Sequence, residues 1–217
     1  MANADYRKEV VVMDFSQIDT LVKSLDLLAA FVFALVGARV AADRGLDYAG
    51  ITFVAAVAST TGGTIRNLAL GIRPNWITNP WILASIVLAV AITILMQTTR
   101  PIGKFLLIMD TFGLAIATIS GAQISLSNQA PWYAAAILGL ITAIAGGLLR
   151  DLLCQLEPVV LHRETLATSS LIGALVYVSL EHSELNSNLT ALIAGLSVVV
   201  VRGASIYFDL HLPKLKR

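Results

Sequence analysis

The seven residues Thr61-Gly62-Gly63-Thr64-Ile65-Arg66-Asn67 return as Ala145-Gly146-Gly147-Leu148-Leu149-Arg150-Asp151, and this duplication constrains the fold more than anything else in the chain. The step is constant at 84 positions, from Gly62 to Gly146, Arg66 to Arg150 and Pro74 to Pro158. It also carries Asp26 onto Asp110 and Gly37-Ala38 onto Gly121-Ala122, so the two copies align without a gap. Each copy is therefore one structural unit, and the two have to be interpreted together.

The solvent of those units follows from composition. Hydrophobic residues make up 57% of the chain and charged residues 13%, against roughly 25% charged in soluble domains, and the mean hydropathy is +0.79. This is the composition of a membrane protein. A net charge of +1 gives no nucleic-acid surface, and the single Cys154 cannot form an intrachain disulfide. Asp5, Glu9, Asp14 and Asp19 interrupt the first twenty residues, which excludes a secretory signal there and leaves residues 1–24 as a polar lead-in.

A bilayer core needs roughly 20 mostly apolar residues per helix, and the chain divides into seven such spans. They run near Leu25–Ala42, Tyr48–Leu70, Pro80–Thr98, Phe105–Ser125, Pro131–Cys154, Thr165–Leu180 and Leu189–Phe208. Gly71 and Pro74 stop the second. Pro80-Trp81 and Pro131-Trp132-Tyr133 open the third and fifth, each a helix-starting proline with interfacial aromatics. The expected organisation is all-α: a first three-helix repeat over 25–98, a second over 105–182, a seventh helix over 188–208 and a basic tail over 209–217. Three spans per repeat, an odd number, make the second copy enter the membrane from the opposite side, as an inverted repeat.

Lys and Arg concentrate on cytoplasmic loops. Arg39, Arg44, Arg100, Lys104, Arg150, Arg163, Lys214, Lys216 and Arg217 fall on one side of the seven-span arrangement, whereas the loops around Ser127 and Ser183 carry no Lys or Arg. This bias places the N-terminus outside and the C-terminus in the cytoplasm.

Glycine inside a helix costs roughly 1 kcal/mol relative to Ala, so the pairs Gly62-Gly63 and Gly146-Gly147 need a reason. Close helix packing is one. A kink or partial unwinding that frees carbonyls toward a polar path is the other, and the duplication beside an intramembrane arginine favours it. Arg66 and Arg150 need counter-ions in a membrane, and the repeat supplies them as two mirror-related couplings, Arg66 with Asp26 and Arg150 with Asp110. Simple snorkelling to the interface is the bland alternative. Asn67 stands where the second copy has Asp151, so the two halves are not electrostatically equivalent.

Hydroxyls at membrane depth, Thr60, Thr61, Thr64, Thr118, Ser120 and Thr142, with Thr168, Ser169 and Ser170 on the sixth span, offer neutral oxygens suited to a monovalent cation. Helix-to-helix hydrogen bonding accounts for any one of them equally well. His162, His182 and His211 lie near span ends without a metal-site spacing, no phosphate loop is present, and Cys154 has no evident base. No enzyme chemistry and no cofactor or metal follow.

Paired glycines followed by Arg and an acid, twice, after an Asp-led first helix ending near Gly-Ala, resemble the trimeric intracellular cation channels. The likeness is to their bacterial and archaeal members, which overlap with putative glycine transporters, and it covers residues 25–208. The family pattern is three glycines, two residues, then Arg-Asp; Thr61 and Ala145 replace the first glycine and Asn67 the first Asp. The matched positions are Gly62, Gly63, Arg66, Gly146, Gly147, Arg150 and Asp151. The resemblance implies a homotrimer in the plasma membrane of a prokaryote, with one pore per subunit lined mainly by spans 1, 2, 4 and 5, conducting K+ with some Na+. A carrier for glycine or another small zwitterion is the rival function, since inverted repeats serve carriers as well.

Overall fold

The computed structural model describes residues 15–96, 103–157, 165–181, 183 and 185–208, with side chains from Lys23 onward and, in the fifth helix, from Leu106. Among the described residues all regular structure is helical. The helices are α1 (Phe15–Asp43), α2 (Tyr48–Ala69), α3 (Asn75–Thr78), α4 (Pro80–Met96), α5 (Gly103–Ser127), α6 (Trp132–Leu153), α7 (Thr165–Glu181) and α8 (Ser187–Tyr207). Residues 97–102, the segment after Glu157 that contains Pro158, His162 and Arg163, His182, and the tail with His211 and Lys214 to Arg217 lie outside the described residues.

Four helical stretches, Lys23–Asp43, Leu106–Ser127, Trp132–Leu153 and Ser187–Tyr207, are long and apolar enough to cross a membrane, and α4 and α7 are shorter apolar helices. The second helix has 22 residues, and its Ser, Thr, Arg and Asn side chains lower its apolarity. Val87, Leu95, Leu196 and Val200 on α4 and α8 point outward and are exposed. Apolar helix faces turned outward in this way belong against lipid, and this is a multi-pass membrane protein.

Two boundaries differ from the sequence expectation. The lead-in placed at residues 1–24 becomes helical from Phe15, continuous with α1. The connection after α2 holds the four-residue α3, set between Pro74 and Asn79, which is too short to leave a periodic signal.

Packing repeats as the sequence does. α4 packs on α1 and α2, just as α7 packs on α5 and α6, while α2 and α6 cross each other at the centre; α8 packs on α7 and α5 and has no counterpart. The helix ends repeat as well. The α1 helix closes with Gly45 N–H donating to Ala42 O and Leu46 N–H to Ala41 O, and the α2 helix closes likewise with Gly71 to Leu68 and Ile72 to Asn67. These are Schellman caps, which need a left-handed residue at the turn, and Gly45 (φ 74°) and Gly71 (φ 69°) supply it. Eighty-four positions on, Gln129 (φ 61°) and Gln155 (φ 52°) hold the same conformation with the same bonds, Ala130 N–H to Ser125 O and Leu156 N–H to Asp151 O. Gln gains nothing from a positive φ, so the shape is dictated by the unit rather than by the residue. Arg44 joins the halves: Nε donates to Cys154 O at 2.8 Å and Nη2 to Gln155 O at 2.6 Å, a cation on the carbonyls of the turn that caps α6.

Candidate functional site

Both glycine pairs lie within uninterrupted α-helix, so the expected partial unwinding does not occur, and packing accounts for the first glycine of each pair. A Cβ on Gly62 would stand 2.1 Å from Thr142 O, and one on Gly146 would stand 2.0 Å from Ala58 O. Thr142 and Ala58 are themselves 84 positions apart. The contact is therefore reciprocal, each glycine lying against the carbonyl of the other helix's equivalent residue. Gly63 and Gly147 do something else: their open faces lie 3.6 Å from Arg66 Nη2 and 3.7 Å from Arg150 Nη2, so each arginine folds back along its own helix beside a missing side chain. Gly37 and Gly121 give room where α1 meets Ala58 and where α5 meets Thr142.

The arginines end α2 and α6, and both are buried. Arg66 Nη1 donates to Asp26 Oδ1 at 3.0 Å, and Arg66 Nε donates to Asn67 Oδ1 at 2.8 Å. Asn67 Nδ2 donates onward to Asn75 Oδ1 at 2.8 Å and to Arg73 O at 2.9 Å, and Asn75 Nδ2 returns to Asp26 Oδ2 at 2.6 Å. The ring Asp26, Arg66, Asn67, Asn75 is closed, and it explains Asn67. An aspartate there would still accept from Arg66 but would set oxygen against two acceptors. In the second cluster Arg150 Nη1 donates to Asp110 Oδ1 and Nε to Asp151 Oδ1, both at 2.8 Å. The first cluster sets one carboxylate against its arginine, whereas the second sets two, Asp110 and Asp151, against Arg150. Buried charges so paired are expensive to break and strongly positioned.

Two small cavities adjoin these clusters. The first, about 30 Å³, is lined by Asp26, Ser59, Thr60, Gly62, Gly63, Thr64, Asn75, Trp76 and Thr142 together with apolar residues. The second, about 10 Å³, is lined by Asp110, Gly147, Arg150 and Asp151 and by Leu114, Ala143, Ile144, Leu148 and Leu166. Asp110, Leu114, Ala143, Ile144, Gly147, Leu148 and Leu166 of the second are the images of Asp26, Ala30, Ser59, Thr60, Gly63, Thr64 and Ile82 of the first under the 84-residue step, so that three hydroxyls of the first are Ala143, Ile144 and Leu148 in the second. The first cavity carries hydroxyls beside its carboxylate, and the second carries charged side chains without hydroxyls.

The hydroxyl hydrogens are already committed. Thr60, Thr61, Thr64 and Thr142 each donate to the carbonyl four residues earlier, at 2.8, 2.6, 2.7 and 2.6 Å. Thr60, Thr64 and Thr142, which line the first cavity, are thereby left with oxygen lone pairs to offer, although Thr64 also accepts from Trp76 Nε1 at 3.1 Å. The remaining hydroxyls lie elsewhere. Thr118 meets Ser170 at 2.7 Å across α5 and α7, Ser120 lies 3.5 Å from Asp26 Oδ1, and Ser169 bonds to Leu166 O. Thr61, Thr118, Ser120 and Gly146 line neither cavity, and Thr168 lies on α7.

Sequence reasoning passed over four residues. Asn75 and Trp76 reach the first site through α3, Phe33 lies between the cavities, and Arg202, buried in α8, donates to Thr165 Oγ1 at 2.8 Å. Only Arg202 was openly signalled, as an arginine within an apolar span.

The family model described as glycine transporter matches twice, over residues 23–98 and 107–182, offset by the same 84 positions. A UPF0126 membrane protein of Vibrio cholerae is 33% identical over 198 residues, covering 89% of this chain and 82% of that one. The inner membrane protein YadS of Escherichia coli is 30% identical over 197 residues, covering 89% and 95%. Among solved structures, the TRIC trimeric intracellular cation channel orthologue from Rhodobacter sphaeroides superposes with a TM-score of 0.82 at 33% identity, over 88% of this chain and 100% of that one. The chain belongs to the glycine-transporter family of membrane proteins and is a homologue of the prokaryotic trimeric intracellular cation channels.

Proposed function

We propose that this protein is a passive monovalent-cation channel, permeable to K+ and also to Na+, assembled as a homotrimer with a pore inside each subunit. The observation that carries the reading is the first cavity, where Asp26, Thr60 and Thr142 line one space in a bundle whose fold matches a cation channel. Oxygens of this kind replace part of an alkali ion's hydration shell, and Asp26, already held by Arg66 and Asn75, binds too weakly to trap it.

The architecture goes with this reading: seven transmembrane helices, as inverted three-helix repeats over 25–98 and 105–182 and a seventh helix over 188–208, between a lead-in over 1–24 and a basic tail over 209–217. The reciprocal glycine contacts between α2 and α6 are what a pseudo-twofold axis in the membrane plane requires. Asp26, Arg66, Gly62 and Gly63 then serve one half of the path, and Asp110, Arg150, Asp151, Gly146 and Gly147 the other. The protein lies in a prokaryotic plasma membrane with lipid against its apolar faces, its N-terminus outside and its C-terminus cytoplasmic. Single cysteines introduced as Ser127→Cys and Lys216→Cys, in a Cys154→Ser background, label from opposite sides of intact cells; Ser127→Cys labelling only after permeabilisation reverses the orientation.

A carrier for glycine is the second reading, and one atom favours it: buried Arg66 Nη2 has no hydrogen-bond acceptor among the described residues and lies 3.6 Å from where a side chain on Gly63 would begin, behind the wall of the first cavity that Gly63 lines, so a substrate carboxylate that reaches past Gly63 has a donor to meet. Purified protein in planar bilayers under a KCl gradient separates the two. Unitary currents reversing near the K+ equilibrium potential establish the channel, because each opening passes more ions than a stoichiometric cycle can. A silent bilayer together with saturable glycine uptake into liposomes establishes the carrier.

A further inference from the structure

We infer that the ring of Phe33 is the barrier between the two halves of the path, a hydrophobic gate placed at the pseudo-symmetry centre; this rests on the channel reading. Among the described residues Phe33 alone lines both cavities. It stands seven residues beyond Asp26 on α1, about 10 Å deeper along the helix. Its image, Ala117, stands seven residues beyond Asp110 on α5 and lines the first cavity. Each unit thus sends the same position across the centre to the other unit's cavity, but one sends a phenyl ring and the other a methyl group. The mismatch is matched by space, for Gly113, the image of Ala29, leaves its Cβ position 3.3 Å from the ring edge.

The ring is 5% exposed, packed among Leu114, Ala143, Leu166 and Val198. Two cavities, each with charged side chains in its wall, therefore meet at a constriction formed by one buried aromatic side chain. Such a constriction excludes a hydrated ion without any fixed charge, and a small ring displacement rewets it.

The test uses thiol access, which does not depend on conductance. In a Cys154→Ser background, Thr60→Cys marks the first cavity and Ile144→Cys the second. A small membrane-impermeant cationic thiosulfonate is added to either side of sealed vesicles holding the full protein. With Phe33 present, the two cysteines react from opposite sides. With Phe33→Ala each gains reactivity from its formerly closed side, by at least about tenfold, and Phe33→Leu, which keeps the packing better filled, gives a smaller gain in the same direction. Unchanged rates in both variants, or access from both sides with Phe33 intact, overturn the assignment. Currents recorded on the same variants keep the two ideas apart: new thiol access with a silent bilayer leaves Phe33 as the barrier and removes the channel.

Discussion

Replacing Gly146 by alanine tests the central helix crossing at a single methyl group. The added Cβ would lie 2.0 Å from Ala58 O, whereas ordinary contact begins near 3.4 Å, so α6 must withdraw from α2 by more than 1 Å. Neither partner can turn aside, because the obstacle is helix backbone. Overpacking of this kind costs about 1–3 kcal/mol or more, and alanine's better helix propensity returns at most about 1 kcal/mol. A net loss of about 2 kcal/mol corresponds to a fall of roughly 4–8 °C in melting temperature for a chain of this size. Gly147→Ala is the built-in control, since its Cβ would meet only the Arg150 guanidinium, at 3.7 Å from Nη2 and 4.0 Å from Cζ. Cys154 is buried and single, so a thiol-reactive dye reports unfolding in detergent without further labelling. Gly62→Ala behaves as Gly146→Ala, and the double variant costs less than the sum, because the first methyl has already parted the helices. Equal melting temperatures for Gly146→Ala and Gly147→Ala refute the packing argument.

Gln129→Gly and Gln155→Gly should each raise stability by about 0.5–1 kcal/mol in the same dye assay, because they relieve a left-handed side chain. Arg150→Ala should cost about 3–5 kcal/mol by stranding Asp110 and Asp151, with Asp110→Asn milder than Asp110→Ala; an unchanged melting curve for Arg150→Ala would show the pair to be idle. Asn67→Asp should lower the melting temperature, because it loses both donors to the α3 connection, and Asn67→Asp combined with Asn75→Ala should lower it less than the separate losses predict.

The helices were legible because an apolar run of membrane length is a strong signal, and the 84-residue step exposed the unit. Which carboxylate stands near which arginine was also written in that step, since Asp26 and Arg66 and their images share one spacing. The role of the glycines was not. A glycine pair in a membrane helix is compatible with a break or with an intimate crossing, and the choice depends on what lies opposite. Here it is Thr142 O and Ala58 O, atoms that carry no side-chain signature. The left-handed Gln129 and Gln155 were equally silent as residues and could be found only as images of Gly45 and Gly71. Asn67 showed that the halves differ but not why; the reason is Asn75, brought in by a helix of four residues.

The α2 and α6 crossing also has a mechanical side. With each glycine seated on a carbonyl of the opposite helix, axial sliding would drive the neighbouring side chains into that same backbone. Rotation about the contact meets no such obstruction. The pair is consequently a fulcrum, and relative motion of the two halves takes the form of a scissor. Spacings near Gly62 and Gly146 stay fixed while those at Tyr48 and Trp132, the helix starts farthest from the crossing, change most, so the arginines, one turn from the glycines, ride close to the fulcrum and keep their carboxylates.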